Sequence, residues 1–237
     1  MIKTITQAAR YVDRVGFCLL FPIKGVRLPS LWAAVKGRSP RNFNLVADWD
    51  STAMQLWEWK DELPRRRLCW FGRYFHAKKS LLSLKFLPCF YRLAGNSGAT
   101  NDHERLFREG QLTADARALC EHVHKHGPQA TLELRYALAW VSKKQNARFK
   151  RALAELQSRL MIVHWGVKAE TRAWESVVYE LTPRAFPQAV RAARKLAPEE
   201  ARRRIAAQYR KLVPSAAPAD AARLFGWPRA DAEAAFR

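Results

Sequence analysis

No apolar run in this chain approaches the ~20 residues that a membrane-spanning helix needs. The most apolar stretch, Val15 to Ile23, is about half that length and is interrupted by Pro22. A membrane partner is therefore not expected. The opening MIKTITQAARYVDR has neither a long apolar region nor a small-residue cleavage site, so a cytoplasmic, nucleoid-associated location is expected. Paired cysteines are missing too. Cys18, Cys69, Cys89 and Cys120 are scattered inside apolar segments without a CxxC spacing, which argues for free thiols and against disulfides or zinc. Histidine is dense only at His122, His124 and His126, and helical spacing puts only His122 and His126 on one face. No metal is expected there, and the cluster reads as cations suited to a helix C-terminus. There is no GxxxxGK[ST], GxGxxG or HExxH, and no serine sits in a nucleophile-elbow context. Nucleotide-driven motors and bound cofactors drop out.

Acidic residues are also scarce. Against 21 Asp and Glu stand 42 Lys and Arg, a formal charge of +21 over 237 residues. Residues 1–100 hold 17 basic and 6 acidic groups, 101–189 hold 14 and 10, and 190–237 hold 11 and 5. The charge belongs to the whole surface rather than to a tail, and a polyanion, double-stranded DNA above all, is the expected partner. With 49% apolar residues the chain has enough to bury a real core.

The middle of the chain is the most legible. LTADARALCEHVHKHGP is a helix capped by Thr113 and stopped at Gly127-Pro128; a second follows with Thr131 as its cap. A third runs from about Asn146 to Leu160, with Phe149, Leu153, Leu156 and Leu160 as its buried stripe. Two strands, Met161 to Val167 and Trp174 to Leu181, then form a hairpin. Three helices and a hairpin make the order of a winged helix-turn-helix. After a helix over Pro187 to Leu196, helices over 199–212, 219–225 and from 229 to the end repeat the triad without a wing. Before it, Ile5 to Val15, Leu28 to Val35 and Asp50 to Glu62 read as helices, the last ended by Pro64, with strands at RLCWFGRYF and Ser80 to Phe86. The expected division is a Trp-rich α+β unit over 1–95, a linker with a short helix over 96–111, a winged helix-turn-helix over 112–187 and a wingless helical unit over 188–237. The fold class is mainly α with small β-hairpins, arranged as tandem winged helix-turn-helix units.

In that arrangement the third helix enters the major groove. Its face opposite the leucine stripe offers Lys144, Gln145, Arg148 and Arg151, with Lys143, Asn146 and Lys150 at its start. Lys168 and Arg172 in the wing reach adjacent phosphates on the same reading; otherwise these residues form a solvated face and an ordinary turn. Five of the nine tryptophans, Trp32, Trp49, Trp57, Trp59 and Trp70, fall within forty residues. The run DWDSTAMQLWEWKDELPRRR sets Trp57 and Trp59 beside Glu58, Asp61 and Glu62 and follows them with Arg65, Arg66 and Arg67. A pocket for an extruded base would use the rings for stacking, a carboxylate for a water or a developing positive charge, and the arginines for the backbone. An amphipathic helix with buried tryptophans and a charged end has the same pattern. Helical spacing groups Glu58 with Glu62 and Trp57 with Asp61, with Trp59 roughly opposite, so Asp61 and Trp57 are the preferred pair.

RYVDRVGFCLLFPIKGVRLPSLW, WEWKDELP and RRRIAAQYRKLVPSAAPADAARLFGWP together resemble the winged-helix DNA-binding proteins related to the AlkZ (YcaQ) crosslink-repair DNA glycosylases. That resemblance implies a tandem winged-helix scaffold cradling duplex DNA, with removal of alkylated bases as the family's chemistry. The glycosylases carry a Gln-x-Gln type catalytic motif, and none of the eight glutamines here forms it or a Gln-x-Asp. A second wing and the further domain of the full enzymes are also not found in this sequence. The scaffold carries over and the catalytic residues do not. The expectation is a monomeric duplex-DNA-binding protein of DNA repair or damage recognition. The alternatives are a monofunctional glycosylase using Asp61, Glu62 or Glu58, and a transcriptional regulator.

Overall fold

A computed structural model describes residues 2–38, 43–44, 46–47, 49–171 and 174–237. Its first part runs α1 (Ile5–Val15), β1 (Phe17–Leu19), α2 (Leu31–Lys36), α3 (Ser51–Arg65), β2 (Cys69–Arg73), β3 (Lys79–Ser83) and α4 (Leu87–Leu93). The three strands form one antiparallel sheet in the order β1-β3-β2, with Phe17 opposite Leu82 and Trp70 opposite the same residue. Alternate side chains leave a strand on opposite faces. Phe17, Leu19, Trp70 and Leu82 therefore enter one core, while Cys18, Leu20, Cys69, Phe71 and Leu81 enter another. Burial on both faces explains why this stretch is continuously apolar instead of alternating. Two expectations are corrected here. Pro64 does not end α3 but lies in its last turn, where it forgoes the bond to the Lys60 carbonyl and only Arg65 follows it in the helix, and the second expected strand stops at Ser83, leaving Phe86 to precede α4.

The middle part is α5 (Asp102–Arg108), α6 (Ala114–His126), β4 (Gln129–Ala130), α7 (Thr131–Ala137), α8 (Lys143–Ser158), β5 (Ile162–Thr171) and β6 (Trp174–Leu181). Its strands make a second antiparallel sheet, β4-β6-β5, over a core of Leu119, Val123, Leu134, Phe149 and Leu156. Thr113 caps α6 as expected, accepting from the Ala116 N–H. Thr131 is not a cap, because it is the first helical residue of α7 and its hydroxyl donates to the Val177 carbonyl at 2.9 Å. The third helix starts earlier than Asn146, because Ser142 and Gln145 form a reciprocal capping box. Its buried side is Phe149, Ala152, Leu156 and Gln157, with Leu153 only half-buried. At the end of α6 the cation on the last carbonyls is Arg184, which donates to the carbonyls of Val123 and His124. His122 and His126 stack on each other 4.3 Å apart.

The last part is α9 (Thr182–Ala185), α10 (Pro187–Arg194), α11 (Pro198–Leu212), α12 (Pro218–Phe225) and α13 (Arg229–Phe236). Ala201, Ile205, Tyr209, Ala221 and Leu224 share the core of Phe17, Trp70 and Phe90, so these helices close the first sheet from its open side. The fold is mainly helical α+β with two small antiparallel sheets. Among the described residues no helix is long and apolar enough to cross a membrane.

Candidate functional site at the junction of the two sheets

Helix α3 is started by Asp50, whose carboxylate accepts the Ala53 N–H at 3.0 Å. It is anchored by Ala53, Leu56, Trp59 and Leu63 in the core. That anchoring decides which of the sequence candidates remain available. Trp59 is a core residue, and its ring has no open face for a base. Trp57, two residues earlier, is 39% exposed, and the also exposed Trp49 meets it edge-on at 5.6 Å. Glu58 points to solvent. Glu62 is taken up by Arg65 and Arg66, at 2.7 and 2.9 Å, which hold its carboxyl below the usual range. Arg67 leaves this group and lies over the Trp165 ring at 5.2 Å.

Asp61 alone of the three carboxylates turns inward, with a side chain only 13% exposed. Lys60 Nζ lies 2.7 Å from both of its oxygens. From β5, His164 Nε2 approaches Oδ1 to 2.7 Å, too obliquely for a well-directed hydrogen bond. Burial pushes the Asp61 carboxyl up, but contact with His164 and Lys60 outweighs this and holds it below the usual range. The His164 ring is itself buried, edge-on to Phe71 at 5.2 Å, and desolvation lowers its pKa against the opposing pull of Asp61. A neutral His164 leaves the Lys60 ammonium as the main counter-charge. His164 reaches α3 because β5 bulges at the next residue, where the register with β6 slips between His164 and Gly166. A bulge re-aims the side chains beside it. A Cβ on Gly166 would stand 3.5 Å from the Arg65 chain, in ordinary contact.

Lys79, the first residue of β3, completes the group. Its Nζ sits 3.5 Å from the centre of the Trp57 ring, and Lys60 Nζ lies 4.5 Å from the same centre. Among the described residues no carboxylate forms an ion pair with Lys79. Desolvation, helped by Lys60 and Arg73 and opposed by Asp61, lowers its pKa to about 7. Lys79 also lines a cavity of about 280 Å³ with Arg73, Lys78, Lys24, Phe21 and Phe43. The site is thus an aromatic face with one ionised carboxylate, one poised amine and a cationic pocket.

The second set of candidates lies on α8. Lys143, Lys144, Lys150 and Arg151 are exposed and, among the described residues, form no salt bridge with a carboxylate. Arg148 differs: Asp115 binds it at 2.6 and 2.7 Å and its guanidinium lies over the Trp140 ring. Gln145 is spent on the capping box, Asn146 is half-buried, and Lys168 donates to Glu133. Arg172 lies outside the described residues. Among those described, no group of three His, Cys, Asp or Glu side chains could hold a metal ion. All four cysteines are free and buried, and desolvation raises each thiol's pKa.

His164, Lys60 and Lys79 were not among the sequence candidates. Asp61 and His164 are far apart in the chain, and no local pattern marks a histidine in an apolar strand. The one available signal for Lys79 was its place at the start of a strand, ahead of Ser80 and the apolar pair Leu81-Leu82.

The architecture and this junction define a strongly basic α+β protein with an aromatic, lysine-lined site between its two sheets. The family model of AlkZ-related proteins matches residues 2–226. The chain belongs to that family, which ties it to DNA repair. No curated protein and no solved structure matches it.

Proposed function

We propose that the chain binds duplex DNA through a winged helix-turn-helix formed by α6, α7, α8 and the β5–β6 hairpin, with α11–α13 as a second, wingless unit, and that it does so in DNA repair. The observation that carries this reading is the solvent face of α8. Lys143, Lys144, Lys150 and Arg151 stand close together there and, among the described residues, form no salt bridge, whereas some exposed arginines elsewhere, such as Arg203, Arg204 and Arg229, are tied to neighbouring carboxylates. Unpaired cations on one helix face need a polyanion more than they need solvent, and a duplex supplies one with a groove of the right width. The test is binding of a random-sequence duplex by wild type and by the combined Lys144→Ala, Lys150→Ala and Arg151→Ala variant. Arg108→Ala with Lys195→Ala, both exposed and outside α8, serves as the control. A selective loss in the α8 variant supports the groove assignment; equal losses in both sets make the binding surface diffuse.

Excision of an alkylated base is a second reading, favoured by the exposed Trp57 ring one helical turn before the ionised Asp61. A fixed carboxylate suits stabilisation of a developing sugar cation better than proton transfer, although Lys60 offsets much of its field. Release of alkylated bases by wild type and its absence in Asp61→Asn, with retained DNA binding, would establish it.

A further inference from the structure

The amine of Lys79 has no assigned partner, and its surroundings are unusual for a surface lysine. It is half-buried, it rests on an aromatic face, and its side chain belongs to a residue that lines a pocket with three other cations. A lysine used only for attraction is normally left in water, where it is fully charged and mobile. A lysine desolvated among other cations is instead the arrangement that supplies a neutral amine for attack on a carbonyl. In a DNA-repair protein the carbonyl at hand is the aldehyde of a ring-opened abasic deoxyribose. The pocket of about 280 Å³ that Lys79 lines has room for a sugar, and Arg73, Lys78 and Lys24 on its walls supply positive charge for the phosphates that flank such a sugar.

We propose that Lys79 forms a Schiff base with aldehydic abasic sites in DNA, an inference that rests on the DNA-binding reading above. The amine nitrogen bonds to C1′, the C1′–oxygen double bond breaks, and the oxygen leaves as water carrying the two amine protons. Once protonated, the imine draws electrons from C2′. The C2′ proton passes to water, its bonding pair forms the C2′–C3′ double bond, and the C3′–oxygen pair leaves on the 3′ phosphate, cutting the strand. Hydrolysis of the imine then returns the amine. No metal, oxidant or cofactor takes part. Trp57 and Lys60 act as positioning residues, the first by holding the amine at 3.5 Å and the second by adding a like charge near it.

The charged and titratable groups facing Lys79 are Lys60 and Asp61 from α3, Arg73 from β2, Lys78 and Lys24 at the pocket, and His164 from β5. The lowered pKa of His164 keeps it neutral above the ordinary histidine value of 6.5. The reaction should therefore rise with pH through about 7 as Lys79 loses its proton.

The experiment is borohydride trapping on full-length protein with a duplex carrying one abasic site. Borohydride reduces the imine to a stable amine, and mass spectrometry of the digested adduct locates the linkage. A covalent adduct at Lys79, lost in Lys79→Met and absent with a pre-reduced abasic sugar, is the expected result, with yield rising from pH 6 to pH 8. Binding of the abasic duplex is measured alongside. An adduct at another amine, or no adduct from protein that binds this duplex, overturns the proposal. Failure to bind the duplex at all overturns the DNA-binding reading and the proposal with it. Because mapping of the wild-type adduct needs no variant, the result stands even if Lys79→Met folds poorly.

Discussion

Gln157 of α8 accepts the backbone N–H of Arg73 at 2.6 Å, joining the helix with the unpaired cations to the strand that borders the lysine pocket. The approach is that close because residue 72 is glycine: a Cβ there would stand 3.2 Å from Gln157 Oε1 and strike the Trp70 ring at 2.5 Å. Gln157→Leu removes the acceptor of that part-buried N–H, at a cost of about 1 kcal/mol. Thermal unfolding should show a loss of about 2–4 °C per kcal/mol in a chain of this length. An unchanged Tm would mean that this bond contributes nothing to holding the two parts together.

Asp61 and Lys60 should behave as a buried pair. Asp61→Asn strands the Lys60 ammonium, and because Asp61 keeps some solvent contact the expected loss is about 2–3 kcal/mol, below the figure for a fully enclosed pair. Joint replacement, Lys60→Met with Asp61→Leu, removes both charges and should recover most of that loss. Denaturant titration of the three variants checks this. If the double variant is as unstable as Asp61→Asn, the pair is not the reason for the loss.

Acid should weaken the fold through two buried histidines. His103 and His164 are both buried, and desolvation depresses both pKa values, with His124 adding to the effect at His103. The unfolded chain then takes up protons first. The stability that these groups contribute is complete above the ordinary histidine value of about 6.5 and is lost as pH falls from there towards the folded values. A Tm lower by about 2–4 °C at pH 5 than at pH 7 corresponds to the loss of roughly 1 kcal/mol. His103→Leu should flatten the dependence, since both of its ring nitrogens lack a partner. A pH-independent Tm across this range contradicts the assignment.

Arg148 and Arg151 share a helix but not a role. Arg148 is tied to Asp115 and lies over Trp140, so Arg148→Ala should lower Tm while leaving the salt dependence of DNA binding unchanged. Arg151→Ala should do the reverse, reducing the slope of log affinity against log salt by about one. Equal effects of the two on the slope would erase the distinction.

The order of helices and hairpin in the middle of the chain was legible because each element carries its own signal: a capping threonine at 113, a Gly127-Pro128 stop, and a helical stripe through Phe149 and Leu156. The first sheet was harder, since Cys18, Leu19 and Leu20 are buried on both faces and leave no alternation to read. Asp61 and Trp57 could be singled out from spacing on one helix. Their partners could not, because His164 reaches Asp61 only through a bulge in a distant strand, and Lys79 meets Trp57 only once β3 lies against α3. Gln145 looked like a contact residue because it faces away from the leucine stripe, but it lies three residues after Ser142 and is spent on the capping box.

The central claim, that this chain holds duplex DNA by unpaired cations on α8, is tested most directly by affinity for a random-sequence duplex between 50 and 200 mM salt, roughly the range over which phosphate contacts are lost. Four released counterions predict a slope of about −3.6 and a fall in affinity of roughly a hundredfold. Absence of binding at low salt, or an affinity that stays flat across the range, would contradict it.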